Sequence, residues 1–248
     1  MNRPAHWFSD ALFPRGTNEH GPLPALLVML MVSSGLVDAI TFLGLNRVFV
    51  ANMTGNVVFS GFAIAGDPRH QLWAHLLALA AFAAGAWSEG RVARKIQEAR
   101  RRLFHLTVTH ALLVAAALAV VLLAGVRGTG PEAALIVLLG YGMGMQNAVA
   151  LRMAVPDLVN ITVVTSIVTR LVSQAPAQAW RRRACAIAAM FAGGIMGAAL
   201  YLVAGMAAPL AVDLLLLVLI AYVARDVLPG PARGVGGGFT EIQRRRAG

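Results

Sequence analysis

The sequence predicts an all-α polytopic membrane protein with six transmembrane helices and two further broken or re-entrant segments, arranged as an inverted 3+3 repeat. Three observations carry that expectation. The 248 residues are 58% hydrophobic and only 13% charged, with a mean hydropathy of +0.70, too apolar for a water-soluble domain. Six apolar runs are each long enough for about 30 Å of hydrocarbon. Lys and Arg outnumber Asp and Glu by 21 to 11 and gather in short connectors between the runs, where they orient a chain in a bilayer. The lipid bilayer is therefore the expected partner, and nucleic acid is not.

In chain order, residues 1–21 mix aromatics, prolines and both signs of charge, and the apolar run after them lacks a small-residue cleavage site. They read as a cytoplasmic lead-in, not a signal peptide. The spans follow at 23–44, 71–89, 105–126, 131–152, 184–206 and 209–225. Segments 46–66 and 157–173 are also apolar but interrupted by Asn, Thr, Gly and Ser.

Charge decides how those two are threaded. One connector holds Arg91, Arg94, Lys95, Arg100, Arg101 and Arg102, another Arg181, Arg182 and Arg183, and the tail Arg225, Arg233, Arg244, Arg245 and Arg246. If both broken segments dip in and return on the same side, all three groups are cytoplasmic, leaving Arg47, Arg69 and Arg127 outside. If both crossed fully, Arg181 would lie opposite Arg91. A single transmembrane domain over 22–228 is therefore expected, with both termini cytoplasmic. Residues 229–248, rich in Pro, Gly and Arg, form a disordered basic tail near the anionic inner leaflet.

The two halves, 22–127 and 130–228, echo each other. Asp38-Ala39 is matched by Asn147-Ala148, and Asn52-Met53-Thr54 by Asn160-Ile161-Thr162, at offsets of 109 and 108 residues. A three-span unit repeated once emerges on the opposite side of the membrane, so the repeat must be inverted. The plainer account is a chance recurrence of Asn-x-Thr; glycosylation, which uses the same triplet, does not suit membrane depth. Gly140/Gly144 and Gly193/Gly197 have the spacing of close helix contacts, within the chain or across a homo-oligomer.

Polar residues inside hydrocarbon need a reason. Asp38 lies six residues before the end of its span, about 9 Å of helix, too deep for a short carboxylate to reach water. The expected pathway residues are Asp38, Asn52, Thr54, Asn56, Asn147, Thr162 and Thr165. Helices beginning near Asn52 to Asn56 and near Asn160 to Thr165 would bring free N–H groups toward midplane, suiting an anion or a polar neutral solute. The blander possibilities are a structural Asp38, with Asn52, Asn56 and Thr162 capping helices. Glu89, Arg91, Arg152 and Arg170 read as interfacial anchors, Asp213, four residues past Pro209, as a snorkelling carboxylate, and Gln146 as a supporting neighbour.

No metal or cofactor is expected. Cys185 is the lone cysteine, and His70 and His75, like His105 and His110, are five apart, whereas one helix face needs three or four. Gly-x-Ser-x-Gly, P-loop and HExxH motifs are absent from the sequence, as are paired carboxylates within one apolar run, so an enzyme is not expected.

Gly35-Leu-Val-Asp38-Ala-Ile-Thr-Phe42, with Phe49-Val-Ala-Asn52-Met-Thr54-Gly-Asn56, resembles the signature of the YoaK-like family of bacterial inner-membrane proteins of unknown function. Gly144-Met-Gln146-Asn147-Ala148 and Thr162-Val-Val-Thr165 resemble its second signature region, although Ser166 stands where the family pattern has glycine. The similarity runs over about residues 22 to 228 and implies an inner-membrane, multi-span fold without naming a substrate. The residues leave two functions open: a transporter or channel for a small solute, or a scaffold whose polar residues only lock helices together.

Overall fold

In hydrocarbon every backbone N–H and C=O must find its partner within the protein, and a helix achieves this within one segment. The computed structural model, which describes residues 9–12, 21–96, 98–153, 155, 168–169, 172 and 177–227, contains only helices and connectors among them. The helices are α1 Leu23–Gly44, α2 Met53–Ile64, α3 Leu72–Lys95, α4 Ala99–Ala124, α5 Thr129–Met153, α6 Ala177–Ala204 and α7 Ala207–Val227. The expected segment 157–173 lies almost wholly outside the described residues, as do most of the lead-in and the tail.

Among the described residues five helices, α1, α4, α5, α6 and α7, are long and apolar enough to cross a membrane. The chain is thus a multi-pass membrane protein. Helix α3 has 24 residues, but His75, Glu89 and Arg91 dilute its hydropathy, and it falls outside that group. Helix α2 has 12 residues, about 18 Å, too short to cross.

Helix α1 begins at a docked end: the Ser9 hydroxyl accepts the Ala25 N–H at 3.1 Å, satisfying a donor that has no partner within the helix. Pro24 occupies the first turn, where its missing N–H costs nothing. The buried share of the spans falls from 72% for α1 and 61% for α5 to 22% for α6, so α1 and α5 lie at the centre of the described bundle.

Apolar surface gains little by leaving lipid for protein, so membrane helices are held by close contact and hydrogen bonds. The most extensive interfaces are α1 with α6 and α3 with α5, and glycines line both. A Cβ on Gly35 would strike the Met190 carbonyl, and one on Gly193 the Val32 carbonyl; likewise Gly144 faces the Phe82 carbonyl and Gly85 that of Tyr141. Gly35 and Gly144 are 109 residues apart, as are Val32 and Tyr141, while Met190 and Phe82, and Gly193 and Gly85, differ by 108. Gly140 and Gly197 are likewise met by Ala81 and Leu36. Those small-residue faces are therefore occupied within the chain and are not free for a homo-oligomer. Helix α4 packs on α5 and α7, α7 also on α1 and α6, and α2 on α3.

Candidate functional site

The site is built by a reversal at the end of α1. Thr41 accepts the Leu45 N–H at 2.8 Å, and Asn46 and Arg47 then take positive φ values of 49° and 58°, a conformation Asn tolerates better than most residues. The Asn46 amide is fixed by Glu132 on α5 at 2.5 Å. The chain turns back, and Val48–Asn52 reach the level of Asp38.

There one oxygen of Asp38 accepts two backbone N–H groups, from Val50 at 2.9 Å and Ala51 at 2.7 Å. The other oxygen makes no well-formed hydrogen bond among the described residues, although the Asn52 N–H also lies near the carboxyl, and the residue is only 5% exposed. A buried acceptor left unsatisfied costs about 1–3 kcal/mol; this oxygen lies beneath the surface of the site. Asp38 and Asn52 are the polar residues lining an open groove of about 570 Å³, bounded by Gly35, Ala39 and Phe49 on one side and by Ile187, Met190, Phe191 and Gly194 of α6 on the other. That volume lies within the range of small-molecule sites.

Helix α2 starts at Met53, and its preceding residue Asn52 makes no side-chain cap bond. Asn56 does not cap either. Its amide grips Phe49 from both ends, accepting the N–H at 3.1 Å and donating to the carbonyl at 2.6 Å. Residues 49–51 are thus clamped between Asn56 and Asp38. The capping roles expected for Asn52 and Asn56 are replaced by this clamp, because the chain before α2 is extended and folds back within reach of the Asn56 amide. Gly55 leaves room for the Phe49 ring, which stacks on Phe42 with centroids 4.9 Å apart.

A histidine chain joins the clamp to the turn before α3. Nδ1 of His75 lies 3.2 Å from Oδ1 of Asn56, and Nε2 of His75 lies 3.3 Å from Nδ1 of His70. Phe49 fixes which end of the Asn56 amide is oxygen, so His75 must donate from Nδ1 and His70 must donate to it. Spacing hid this pair because His70 lies in the turn before α3, where helical periodicity does not apply. Phe59 covers His70 with ring centroids 4.6 Å apart. No cluster of three or more metal-ligating side chains occurs among the described residues. Beyond His70, Arg69 pairs with Asp67 at 2.8 Å and holds that exposed carboxyl well below the usual carboxylate range, through hydrogen bonds first and charge second.

The remaining expected residues are placed unevenly. Thr54 is exposed and does not line the groove; Asn147 is half-buried on α5, away from it. Asn160, Thr162 and Thr165 lie outside the described residues, as does Arg170. Gln146 donates to Ser34 Oγ at 2.8 Å and to the Leu30 carbonyl at 3.0 Å, tying α5 to α1. Two carboxylates depart from expectation. Glu89 is fully buried, its nearest cation Arg102 at 3.9 Å, while Arg91 sits over the Trp87 ring at 3.8 Å. Asp213 is fully buried beside Ser33, because its face of α7 turns toward α1 and not to the surface.

Comparison with known proteins agrees with the signature around Asp38. The family model described as "Protein of unknown function (DUF1275)" matches residues 26–223. The UPF0700 transmembrane protein YoaK of Bacillus subtilis (strain 168) is 33% identical over 148 residues, 59% of this chain. That alignment spans 64% of the relative's own length, just under two thirds. No solved structure matches. With its glycine-lined helix pairs, its clamped Asp38 loop and a family match over most of its length, the chain belongs to the DUF1275 family, whose relative YoaK is likewise a transmembrane protein.

Proposed function

We propose that the chain is a non-enzymatic transporter or channel of the bacterial inner membrane for a small polar solute. In this reading both termini are cytoplasmic, α3 is the sixth crossing helix, and α2 and the segment 157–173 are re-entrant. The halves 22–127 and 130–228 are inverted repeats. Asp38 and Asn52 contact the solute, with Asn147, Thr162 and Thr165 as the counterpart surface of the second half.

The observation that carries the reading is the buried Asp38 carboxyl, one oxygen without a well-formed hydrogen bond, at an open groove of about 570 Å³ that it shares with Asn52. Asp38 is excluded from water at a depth where only function or a partner makes a carboxyl worthwhile. The repeat is supported by contacts, not letters alone: Gly35 with Met190 and Gly144 with Phe82 recur at the offset of the Asn-x-Thr echo. Chance triplets would not bring matching glycines to matching carbonyls. Solute sites at the interface of inverted repeats, beside broken helices, are a recurrent transporter plan.

The scaffold reading has its own observation, the two N–H groups held by the other Asp38 oxygen, which would suffice for a purely structural carboxylate. A screen of the purified protein against small inorganic anions, amino acids and polyols separates the two. A bound solute raises the unfolding temperature, and the same solute should cross liposomes carrying the protein. The transport reading expects both effects to disappear in Asp38→Asn and Asn52→Ala. Flux unaltered in both variants removes this site, and loss of stability without flux under any gradient supports the scaffold.

A further inference from the structure

Two ionisable side chains away from the Asp38 groove are buried without a well-formed hydrogen bond among the described residues. Asp213 of α7 is fully enclosed with the Ser33 hydroxyl of α1 within reach of its carboxyl, though neither group makes a well-formed hydrogen bond among the described residues. His110 of α4 is fully enclosed, with neither ring nitrogen bonded. Its ring lies so close to Gly142 of α5 that a Cβ there would collide with it. Gln146, one turn further along α5, keeps its amide oxygen unbonded while its nitrogen reaches Ser34.

These groups occupy related places. Ser33 and Gly142 are 109 residues apart, the offset of the repeat. Ser34 and Met143, also 109 apart, touch each other at 4.0 Å, as two residues on the axis relating the halves would. The acid of α7 and the imidazole of α4 thus lie against corresponding places on α1 and α5, although they are themselves 103 residues apart and not counterparts in the repeat, and α4 and α7 pack together.

We propose that Asp213 with Ser33 is a proton-binding site in the core of the bundle, taking up and releasing one proton. Protonated, the acid can donate its O–H to the Ser33 oxygen; ionised, it can accept the Ser33 O–H. That single hydroxyl offsets only part of the cost of a bare carboxylate in this apolar surrounding. A metal cation is a poorer occupant: the two oxygens of Asp213 and that of Ser33 supply three ligands where a hard cation takes about six. Other ionisable groups on the packed helices lie elsewhere. Asp38 on α1 is turned to Val50 and Ala51, Arg101, Arg102 and His105 lie toward the start of α4, Arg181, Arg182 and Arg183 toward the start of α6, and Arg225 at the end of α7. The role of this site, coupling solute movement to a proton gradient, rests on the transport reading; its existence does not.

Infrared difference spectroscopy of the purified protein in lipid, titrated from about pH 4 to about pH 10, follows the protonated carboxyl band directly and needs no solute. The expected result is a titrating band that disappears in Asp213→Asn and persists in Asp38→Asn, with a pH midpoint moved by about one pH unit in Ser33→Ala. Ser33→Ala keeps the test decisive should Asp213→Asn fail to fold. Spectra of Asp213→Asn identical to those of the unaltered protein overturn the proposal. So does a band at Asp213 that responds to added sodium at constant pH and not to protons, or a midpoint indifferent to Ser33→Ala. Because the readout is independent of flux, its failure is distinguishable from failure of the transport reading.

Discussion

At the α1–α6 interface Gly35 meets the Met190 carbonyl and Gly193 that of Val32; at the α3–α5 interface Gly144 meets the Phe82 carbonyl and Gly85 that of Tyr141. The backbones approach alike at both, yet the next polar residue differs. Three residues past Gly35 stands Asp38, and three past Gly144 stands Asn147. A carboxylate has two acceptor oxygens, so Asp38 holds Val50 and Ala51 with one and keeps the other. An asparagine has a single acceptor oxygen; used in the same way on its own loop, it would have no second oxygen left to accept. These four glycine contacts match between the halves, whereas the polar residue beside them differs.

The largest effect tests whether the packing is equivalent. Gly35→Leu and Gly144→Leu should each abolish the folded state, because the new side chain meets backbone that cannot rotate away. Gly35→Ala and Gly144→Ala should each cost about 1–3 kcal/mol, read as loss of thermal stability in detergent. One half tolerating what the other does not would break the comparison.

A smaller effect sharpens the polar difference. Asp38→Ala strips two buried N–H groups of their acceptor, at about 1–3 kcal/mol each, whereas Asp38→Asn retains one acceptor oxygen and should keep most of the stability. Asn147→Ala should cost less than Asp38→Ala, about 1 kcal/mol, in the same unfolding measurement.

The smallest effect lies at the turn between α2 and α3. The folded Asp67 carboxyl titrates below its unfolded value because Arg69 binds it. Its contribution is complete above the unfolded value and is lost only as pH falls through the folded one. Melting temperature should therefore show no change from this pair down to about pH 4. Since the pair is exposed and screened by water, Asp67→Asn should leave stability unaltered.

Much of this architecture was legible in the sequence, for reasons that also set its limits. Hydropathy located the long helices because length and apolarity are local properties, and the broken stretch Asn52 to Asn56 located the start of α2, at Met53, to within a turn. The reversal at Asn46 and Arg47 was hidden, since neither residue is glycine and the turn depends on Glu132 of a distant helix. Distance from a helix end misjudged Asp213 and Glu89: depth follows from residue count, but whether a side chain faces lipid or protein depends on the rotation of the packed helix. The His70–His75 pair was missed because its spacing was tested against one helix when the chain there bends.

The arrangement of the two halves across the membrane is the claim on which the account turns, and side-specific labelling tests it most directly. On a Cys185→Ala background, Gly66→Cys should react with a membrane-impermeant thiol reagent added outside intact cells. Gln174→Cys, at the corresponding end of the second half's broken segment, should react only after the cells are opened. Labelling of both positions from outside would contradict the inverted repeat.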